Sequence, residues 1–527
     1  LLYNNAVTNN ENDLRAIWGY SSNSLYLQDT WDIRSDLTID AGVRYDWYTS
    51  EGEIRQNQNF FDRYGYTNAT DIDGLDVIMP RIAFNWTPTD DLTVRGGFGR
   101  FSGGSPGVWI SNSYSNDGVI SDSSNAFGVV NVPTTPDAAT GQYIPADVLT
   151  ALATERPDGS VNALDPSFQI PTTWKMSLGA AYSTDVPYLG EDWLFSADIL
   201  YNKLDNASYW FDQRCEDPVA VAPDGRGVYD CGDTFDEPEA IVIGSADKGH
   251  SLLFAVSASK DWETKFGDFD LFTSYTYADV NDIGYGTSST ATSNYSDFAA
   301  FDRPQPRTGT SNFQVEHLFK LRANWEKEFF DGYATKASLF ATRRPGQPYS
   351  YTFSENNACV LDVDNGRCGR ESRNDDAGHL LYVPNGPADP LFSPLSFGGD
   401  AAAQQAFFDY INNSELSQYR GGIADRNGDN SRWSTIVDLR LQQELPGVLA
   451  DHRTFVFLDV ENLGNLLNSD WGRVERTRYE YERDVVSASI VDGQYVYDDL
   501  NSVGSIENLE VLAQSVWQVQ FGIKYEF

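Results

Sequence analysis

The sequence has few cations and no long apolar run. It holds 37 Lys and Arg residues against 77 Asp and Glu residues, so the formal net charge is −40 at pH 7. A field of that sign repels phosphate backbones, which excludes nucleic acid as a partner. No apolar run approaches the ~20 residues of a membrane-spanning helix, so only a closed barrel could carry this chain through a bilayer. The acidic excess indicates a solvated, repulsive surface, with cation gathering as the alternative.

Catalytic signatures are also missing. The four histidines are isolated from one another, and none belongs to an HExxH motif. No GxSxG or phosphate-binding glycine motif stands between a strand and a helix. We therefore expect no catalytic residues and no organic cofactor: the protein is predicted not to be an enzyme.

Cysteine is scarce, and its spacing is informative. The four cysteines form two close pairs, Cys215/Cys231 and Cys359/Cys368, both in loop-like sequence. Neither pair has the spacing of metal ligands. The pattern predicts two disulfides formed in an oxidising compartment, with the nearest-neighbour pairing closing small loops and other pairings possible.

What the sequence has in abundance is strict alternation. In the segment 37–48, Leu37, Ile39 and Val43 fall on one face, whereas Asp40 and Arg44 fall on the other, as the side chains of a strand do. The same pattern recurs along the chain. It predicts about thirteen strands, at 24–32, 37–48, 78–86, 92–98, 174–182, 193–201, 251–262, 268–278, 315–328, 332–344, 433–444, 453–461 and 512–527.

The two faces of these strands differ sharply in charge. Charged residues occupy the polar face, at Asp40, Arg44, Asp46, Arg81, Arg95, Lys175, Asp198, Asp270, Lys320, Arg322, Glu326, Lys336, Asp438 and Arg440. On the apolar face, charges stand only near strand ends. A cation on the lipid face at mid-bilayer costs ~2–4 kcal/mol, so this distribution favours a transmembrane barrel over a soluble β-sandwich.

Tryptophans and loop lengths agree with a spanning barrel. Tryptophans such as Trp86 and Trp325 lie beside predicted short turns, and others such as Trp174 lie near long loops, which gives two interfacial belts. Long polar segments alternate with the short turns, at 49–76, 102–171, 203–249, 280–314, 345–432 and 462–511. Short helices are predicted near 145–155 and 400–411. The expected fold is an all-β, antiparallel transmembrane barrel with long extracellular loops and short periplasmic turns.

Several segments resemble TonB-dependent outer-membrane receptors, in particular the Oar-like subgroup. They are Ser24–Trp31 with its partner 37–48, Leu92–Phe101, Asp459–Asn468 before Trp471, and the alternating C-terminal strand that ends at Phe527. Such barrels have about 22 strands. The resemblance therefore implies that residues 1–527 are the C-terminal part of the barrel. The plug and the first strands would precede Leu1, since the opening residues lack a signal peptide and already look like mid-barrel sequence.

The resemblance also implies a function and partners. An external ligand would bind the loops and lumen, and the TonB complex would drive its uptake through the plug. Outer-membrane lipid would surround the barrel, and the barrel-assembly machinery would recognise the Phe527 strand. The alternative is a surface scaffold, an adhesin or a secretion partner that uses the barrel as an anchor. A passive porin is disfavoured, because its barrel would be smaller and its loops shorter.

Two loop features are candidate binding sites. Asp425, Asn427 and Asp429 place oxygen ligands at alternate positions, as at the start of a Ca²⁺ loop, but Asn430 replaces the usual glycine and no glutamate closes the loop. An Asx-rich turn is the competing interpretation. Aromatic residues at Tyr349, Tyr351 and Phe353, or at Tyr479 and Tyr481, could form a ligand mouth or pack within large loops.

Overall fold

The structure is a computed structural model. It describes the residues 2–8, 10–125, 133–136, 141, 143, 145, 158–215, 217–231, 238–284, 286–354, 360–361, 378–449, 452–477, 481–500 and 509–527. Among them no helix is both long enough and apolar enough to cross a membrane.

One large antiparallel sheet organises the chain, and thirteen of its strands follow one another in sequence order across the described residues. These strands are β1 Gly19–Arg34, β2 Leu37–Glu51, β3 Asp76–Thr89, β4 Leu92–Ser102, β5 Thr172–Val186, β6 Gly190–Asp205, β7 His250–Thr264, β8 Gly267–Asp282, β9 His317–Phe330, β10 Tyr333–Arg344, β11 Ser434–Pro446, β12 Arg453–Glu461 and β13 Gln518–Glu526. The predicted strand count and the all-β class are confirmed.

Turns and loops alternate as expected. Short turns join each odd-numbered strand from β1 to β11 to the strand that follows it. Long segments join each even-numbered strand from β2 to β12 to the next one. The sheet is open in the described part of the chain, since β1 pairs only with β2 and β13 only with β12. The last strand begins at Gln518, later than predicted, because Ala513–Ser515 form a 3₁₀ turn. The Ser515 hydroxyl secures that turn through hydrogen bonds to the backbone of Val474.

The apolar face of the sheet lies open. Leu27 on β1 is 75% exposed, Phe521 on β13 is 67% exposed, and Ile82 and Leu178 between them are about half exposed. A soluble sandwich would bury this stripe against a second layer. In a membrane, lipid hydrocarbon would cover this apolar stripe. Its exposure in the structure therefore agrees with a membrane-embedded wall.

The tryptophans of the short-turn end have polar partners there. The indole nitrogens of Trp193 and Trp262 both point at the Leu189 carbonyl oxygen, at 3.2 and 3.4 Å. Trp325 donates to the Phe266 carbonyl oxygen at 3.0 Å. An apolar ring with one bonded polar edge suits the boundary between lipid and water.

The long segments fold into structure of their own at the opposite end of the sheet. We call the "first cap" the part built on the three-stranded sheet Val161–Leu164, Ala207–Asp212 and Ala240–Ala246. We call the "aromatic cap" the part built on Pro348–Phe353, residues 378–430, Glu482–Val491 and Gln494–Asp498. The α-helices in the described part of the chain are α1 Gln58–Tyr64, α2 Gly107–Ser115, α3 Ala291–Ser296, α4 Ala401–Asn412 and α5 Leu463–Leu467.

Helix α4 confirms the helical stretch predicted near 400–411. The Asp400 side chain caps its N-terminus by accepting a hydrogen bond from the Ala402 backbone at 2.8 Å. Phe407, Phe408 and Ile411 then share one buried face of the helix. The stretch predicted near 145–155 lies outside the described residues, apart from Pro145.

Candidate transport surface

The polar face carries an ordered set of ion pairs. Arg322 lies 3.1 Å from Asp270, and Arg440 lies 3.1 Å from Asp459. Each pair joins adjacent strands, because Arg322 lies diagonally across β8–β9 from Asp270 and Arg440 lies directly opposite Asp459 on β11–β12. Exposed pairs of this kind contribute about 0.2–1 kcal/mol each. Their larger consequence is a wetted wall that presents both signs of charge.

Other ion pairs, such as Arg95 with Asp198, span an intervening strand. Arg95 on β4 and Asp198 on β6 both lie opposite Gly179 on β5. Their side chains meet above this glycine, with 2.9 Å between the guanidinium nitrogen and the carboxylate oxygen. A Cβ on Gly179 would lie 2.2 Å from an Asp198 carboxylate oxygen, so the bridge requires glycine there.

Aromatic rings on the polar face accept cations. Arg440 lies 4.4 Å from the ring centre of Phe457, and Lys524 lies 5.4 Å from that of Phe455. Beside Arg440 is a cavity of about 480 Å³, which Arg322, Asp438, Asp459 and Gln518 help to line. Charged forks beside aromatic faces give this wall groups that can bind a polar organic solute.

The aromatic cap decides between the two interpretations of Tyr349, Tyr351 and Phe353. All three are at most 2% exposed, so they pack within the loops and form no open mouth. The hydroxyls of Tyr349 and Tyr351 both donate to the Asp429 carboxylate, the second at 2.7 Å. Arg483 lies 3.9 Å from the Tyr349 ring centre. Tyr479 lies outside the described residues.

Burial suppresses ionisation throughout this cap. It is the largest cause of the raised pKa of Tyr349, Tyr351, Tyr382, Tyr495 and Tyr497. It also raises the pKa of Tyr410 and of Tyr419 to about 12. Nearby carboxylates, such as Asp429 for Tyr351 and Asp389 for Tyr382, add to the effect because a second negative charge is unfavourable beside them.

A buried arginine joins separate loops, and sequence reasoning missed it. Arg226 pairs with Asp224 at 2.7 Å, and both side chains are at most 2% exposed. Its guanidinium also donates to the Leu380 carbonyl oxygen at 2.8 Å. A charge run or a spacing rule gives no signal for this contact between loops, because Leu380 lies 154 positions along the chain from Arg226.

The disulfide prediction is confirmed for one pair. Cys215 and Cys231 are bonded and lie in the loop between β6 and β7. Cys359 and Cys368 lie outside the described residues, so their pairing stays a prediction.

Two of the three predicted Ca²⁺ ligands, Asn427 and Asp429, already have protein partners. The Asn427 side-chain amide donates to the Thr310 carbonyl oxygen at 2.8 Å, and its backbone N–H donates to the Ser350 hydroxyl at 2.9 Å. Asp429 accepts the two tyrosine hydroxyls described above. Nowhere in the described ranges do three or more His, Cys, Asp or Glu side chains gather as a metal site. The Ca²⁺ site at Asp425, Asn427 and Asp429 stays a prediction, and this geometry gives it no support.

Asn462, within the family-like segment 459–468, supports the junction between β12 and β13. Its backbone is left-handed, with φ of 51°. Its side-chain amide donates to the carbonyl oxygens of Gly472, Gln514 and Ser515 at 2.9 to 3.2 Å. The segment therefore has a structural reason for its asparagine.

The N-terminal part of the chain is similar to a known protein family. Residues 2–201 match the family described as "Outer membrane beta barrel domain". That range includes β1 to β5 and most of β6. Over these residues the chain is similar to outer-membrane β-barrel domains. The predicted localisation in the cell outer membrane is confirmed. The resemblance to the barrels of TonB-dependent receptors, and to the Oar-like subgroup among them, stays a prediction.

Solved structures of the same class resemble this barrel protein. The outer-membrane transporter YddB from Escherichia coli is 11% identical, covers 96% of this chain and is itself covered to 45%, with a TM-score of 0.44. BauA, the ferric preacinetobactin receptor from Acinetobacter baumannii, is 11% identical, covers 97% of this chain and is itself covered to 43%, with a TM-score of 0.41. A mutant of the ferric enterobactin receptor PfeA from Pseudomonas aeruginosa is 10% identical, covers 96% of this chain and is itself covered to 45%, with a TM-score of 0.40.

The barrel protein thus spans less than half the length of these solved chains. No curated protein matches it in sequence.

Proposed function

We propose that this barrel protein is a non-enzymatic, energy-coupled transporter that takes an external ligand across the outer membrane. The observation that carries the proposal is the thirteen-stranded wall, apolar on one face and charged on the other, with folded loops at one end. A barrel of about eight strands is filled by its own side chains, whereas a larger one encloses a lumen. Paired charges on the polar face keep such a lumen wetted.

The proposal assigns the remaining parts by resemblance. Residues 1–527 form the C-terminal part of a barrel of about 22 strands, and the plug and first strands lie outside this sequence. The TonB complex supplies energy from the inner membrane, because the outer membrane holds no ion gradient. The Phe527 strand is the segment that the barrel-assembly machinery recognises.

The test compares uptake and permeability in the full-length protein. A deletion strain should lose uptake of at least one nutrient from a panel of labelled iron chelates, glycans, peptides and vitamins. The gene should restore that uptake, except in a strain without TonB. A matched control is Leu178→Val, a conservative change on the lipid face, which should restore uptake fully.

Three results would contradict the proposal. Loss of adhesion or secretion with unchanged uptake would favour the scaffold alternative. Free passage of small sugars through reconstituted full-length protein would indicate a passive pore. A gene in which a signal peptide leads straight into strands, with no plug, would exclude TonB coupling.

A further inference from the structure

Two cations face each other across a glycine on the polar face of the sheet. Arg81 on β3 lies opposite Gly99 on β4, and Gly99 lies opposite Lys175 on β5. A Cβ on Gly99 would lie 2.9 Å from the Arg81 Cβ, so no larger residue fits without displacement. Neighbouring strands are about 4.8 Å apart, which leaves a gap between the two side chains with glycine as its floor.

Among the residues that the structure describes, neither cation has a carboxylate partner. Arg81 donates to the side-chain oxygen of Gln28, and the Lys175 ammonium lies 5.6 Å from the ring centre of Phe101. Within the described residues, neither side chain forms an ion pair. Asp40 lines the same cavity of about 450 Å³ and accepts a hydrogen bond from the Thr30 hydroxyl.

The Arg95 bridge provides an internal comparison. Arg95 and Asp198 also face each other across one glycine, and there the opposite charges close to 2.9 Å. At the Arg81 position the corresponding partner is a cation, so the same geometry leaves two like charges facing each other. In a chain whose net charge is −40, two cations that face each other without an ion pair form a local positive field that attracts an anionic group.

We propose that Arg81 and Lys175 bind the carboxylate or phosphate group of a small ligand above Gly99. The inference rests on the proposed function and extends it, since it gives an anionic substrate class. The guanidinium offers a planar fork to two oxygens of the anion, and the ammonium offers a rotatable donor from the other side. The Ser177 hydroxyl and the Phe101 ring line the same cavity and would contact the rest of the ligand.

The test measures binding of succinate and of inorganic phosphate to the full-length protein in lipid nanodiscs, by titration calorimetry at low salt. Two probes are used because a carboxylate and a phosphate share this chemistry. Arg81→Gln should weaken binding at least about tenfold, since a hydrogen bond to a charged group contributes about 1.5–3 kcal/mol. Lys175→Glu should abolish binding, because its carboxylate would pair with Arg81 as Asp198 pairs with Arg95.

The matched control is Arg44→Gln. It makes the same chemical change on the same face but at a cation that already pairs with Asp46 at 2.7 Å and lies outside the cavity that holds Arg81 and Lys175, so binding should stay unchanged. Circular dichroism checks that each variant is folded, and Lys175→Glu adds an attractive pair, so we expect it to fold.

The proposal is overturned if neither probe binds, if Lys175→Glu binds as the unaltered protein does, or if Arg44→Gln weakens binding as much as Arg81→Gln. Uptake is measured separately. Anion binding without uptake of any solute would refute the transport function and support the anion site. Uptake without anion binding would support the transport function and refute the anion site.

Discussion

Alkaline pH should open the aromatic cap while the strands of the barrel stay paired. Tyr349, Tyr351, Tyr382, Tyr495 and Tyr497 are at most 5% exposed, and burial raises the pKa of each hydroxyl. An opened cap would release these protons near the ordinary tyrosine pKa of about 10. Because the pKa is raised in the folded state, stability is fully present below that pH and is lost as the pH rises above it.

The magnitude follows from proton linkage. Each proton that the folded cap keeps and the opened cap releases lowers stability by about 1.4 kcal/mol per pH unit. Five such tyrosines give a slope of about 7 kcal/mol per pH unit. A folded domain is stable by about 5–15 kcal/mol, so the cap should open within about one to two pH units above the ordinary tyrosine pKa.

The assay is the near-ultraviolet absorbance of tyrosinate, followed as the pH is raised, with circular dichroism reporting the strands. We expect a gradual rise from accessible tyrosines and then a steep step. Tyr351→Phe should make that step shallower by one proton and should destabilise the cap at neutral pH by about 1.5–3 kcal/mol, through loss of its hydrogen bond to Asp429.

The control is Tyr188→Phe, since Tyr188 is fully exposed in the turn between β5 and β6. It should lower the gradual rise and leave the step unchanged. A single shallow titration of all tyrosines, with no step, would refute the reasoning, as would a step that Tyr351→Phe does not alter.

Three further changes test other parts of the fold. Phe521→Arg places a cation on the lipid face of β13 and should lower the free energy of unfolding, measured with denaturant in lipid vesicles, by ~2–4 kcal/mol. Gln520→Arg places the same cation on the opposite face and should lower it much less. Equal losses would contradict the assignment of the two faces. Asn462→Ala should cost about 2–4 kcal/mol, because three carbonyl oxygens lose their donor. Asn462→Gly keeps the backbone conformation accessible, so a full rescue by glycine would show that the hydrogen bonds contribute little. Cys215→Ser should destabilise the loop around the disulfide by about 3 kcal/mol, seen as faster proteolysis between residues 217 and 230, and Cys231→Ser should match it because either change breaks the same bond.

The strands of the sheet were predictable because their signal is local. The alternation of apolar and polar side chains from Leu37 to Tyr48 indicates which face of that strand meets lipid. The pattern lies within one segment, so no distant residue is needed to recognise it. The helix at Ala401–Asn412 was also predictable, since its cap Asp400 and its buried face are contained in one short segment. The Cys215–Cys231 bond was predictable from its short spacing.

The caps were decided by contacts between residues far apart in sequence. Asp429 accepts hydroxyls from Tyr349 and Tyr351, about eighty positions away, and this contact settled whether those tyrosines face a ligand or a core. The buried Arg226 likewise reaches Leu380, 154 positions along the chain.

The pairing of Arg81 with Lys175 was likewise decided by the tertiary structure and not by the local sequence. Arg81 and Lys175 each look like one more charge on a polar face, and only strand register places them opposite the same glycine. By itself the sequence determined which face of each strand is apolar, because that choice depends on every second residue. The partners of each polar side chain were left to the tertiary structure, because pairing depends on which strands and loops are brought together.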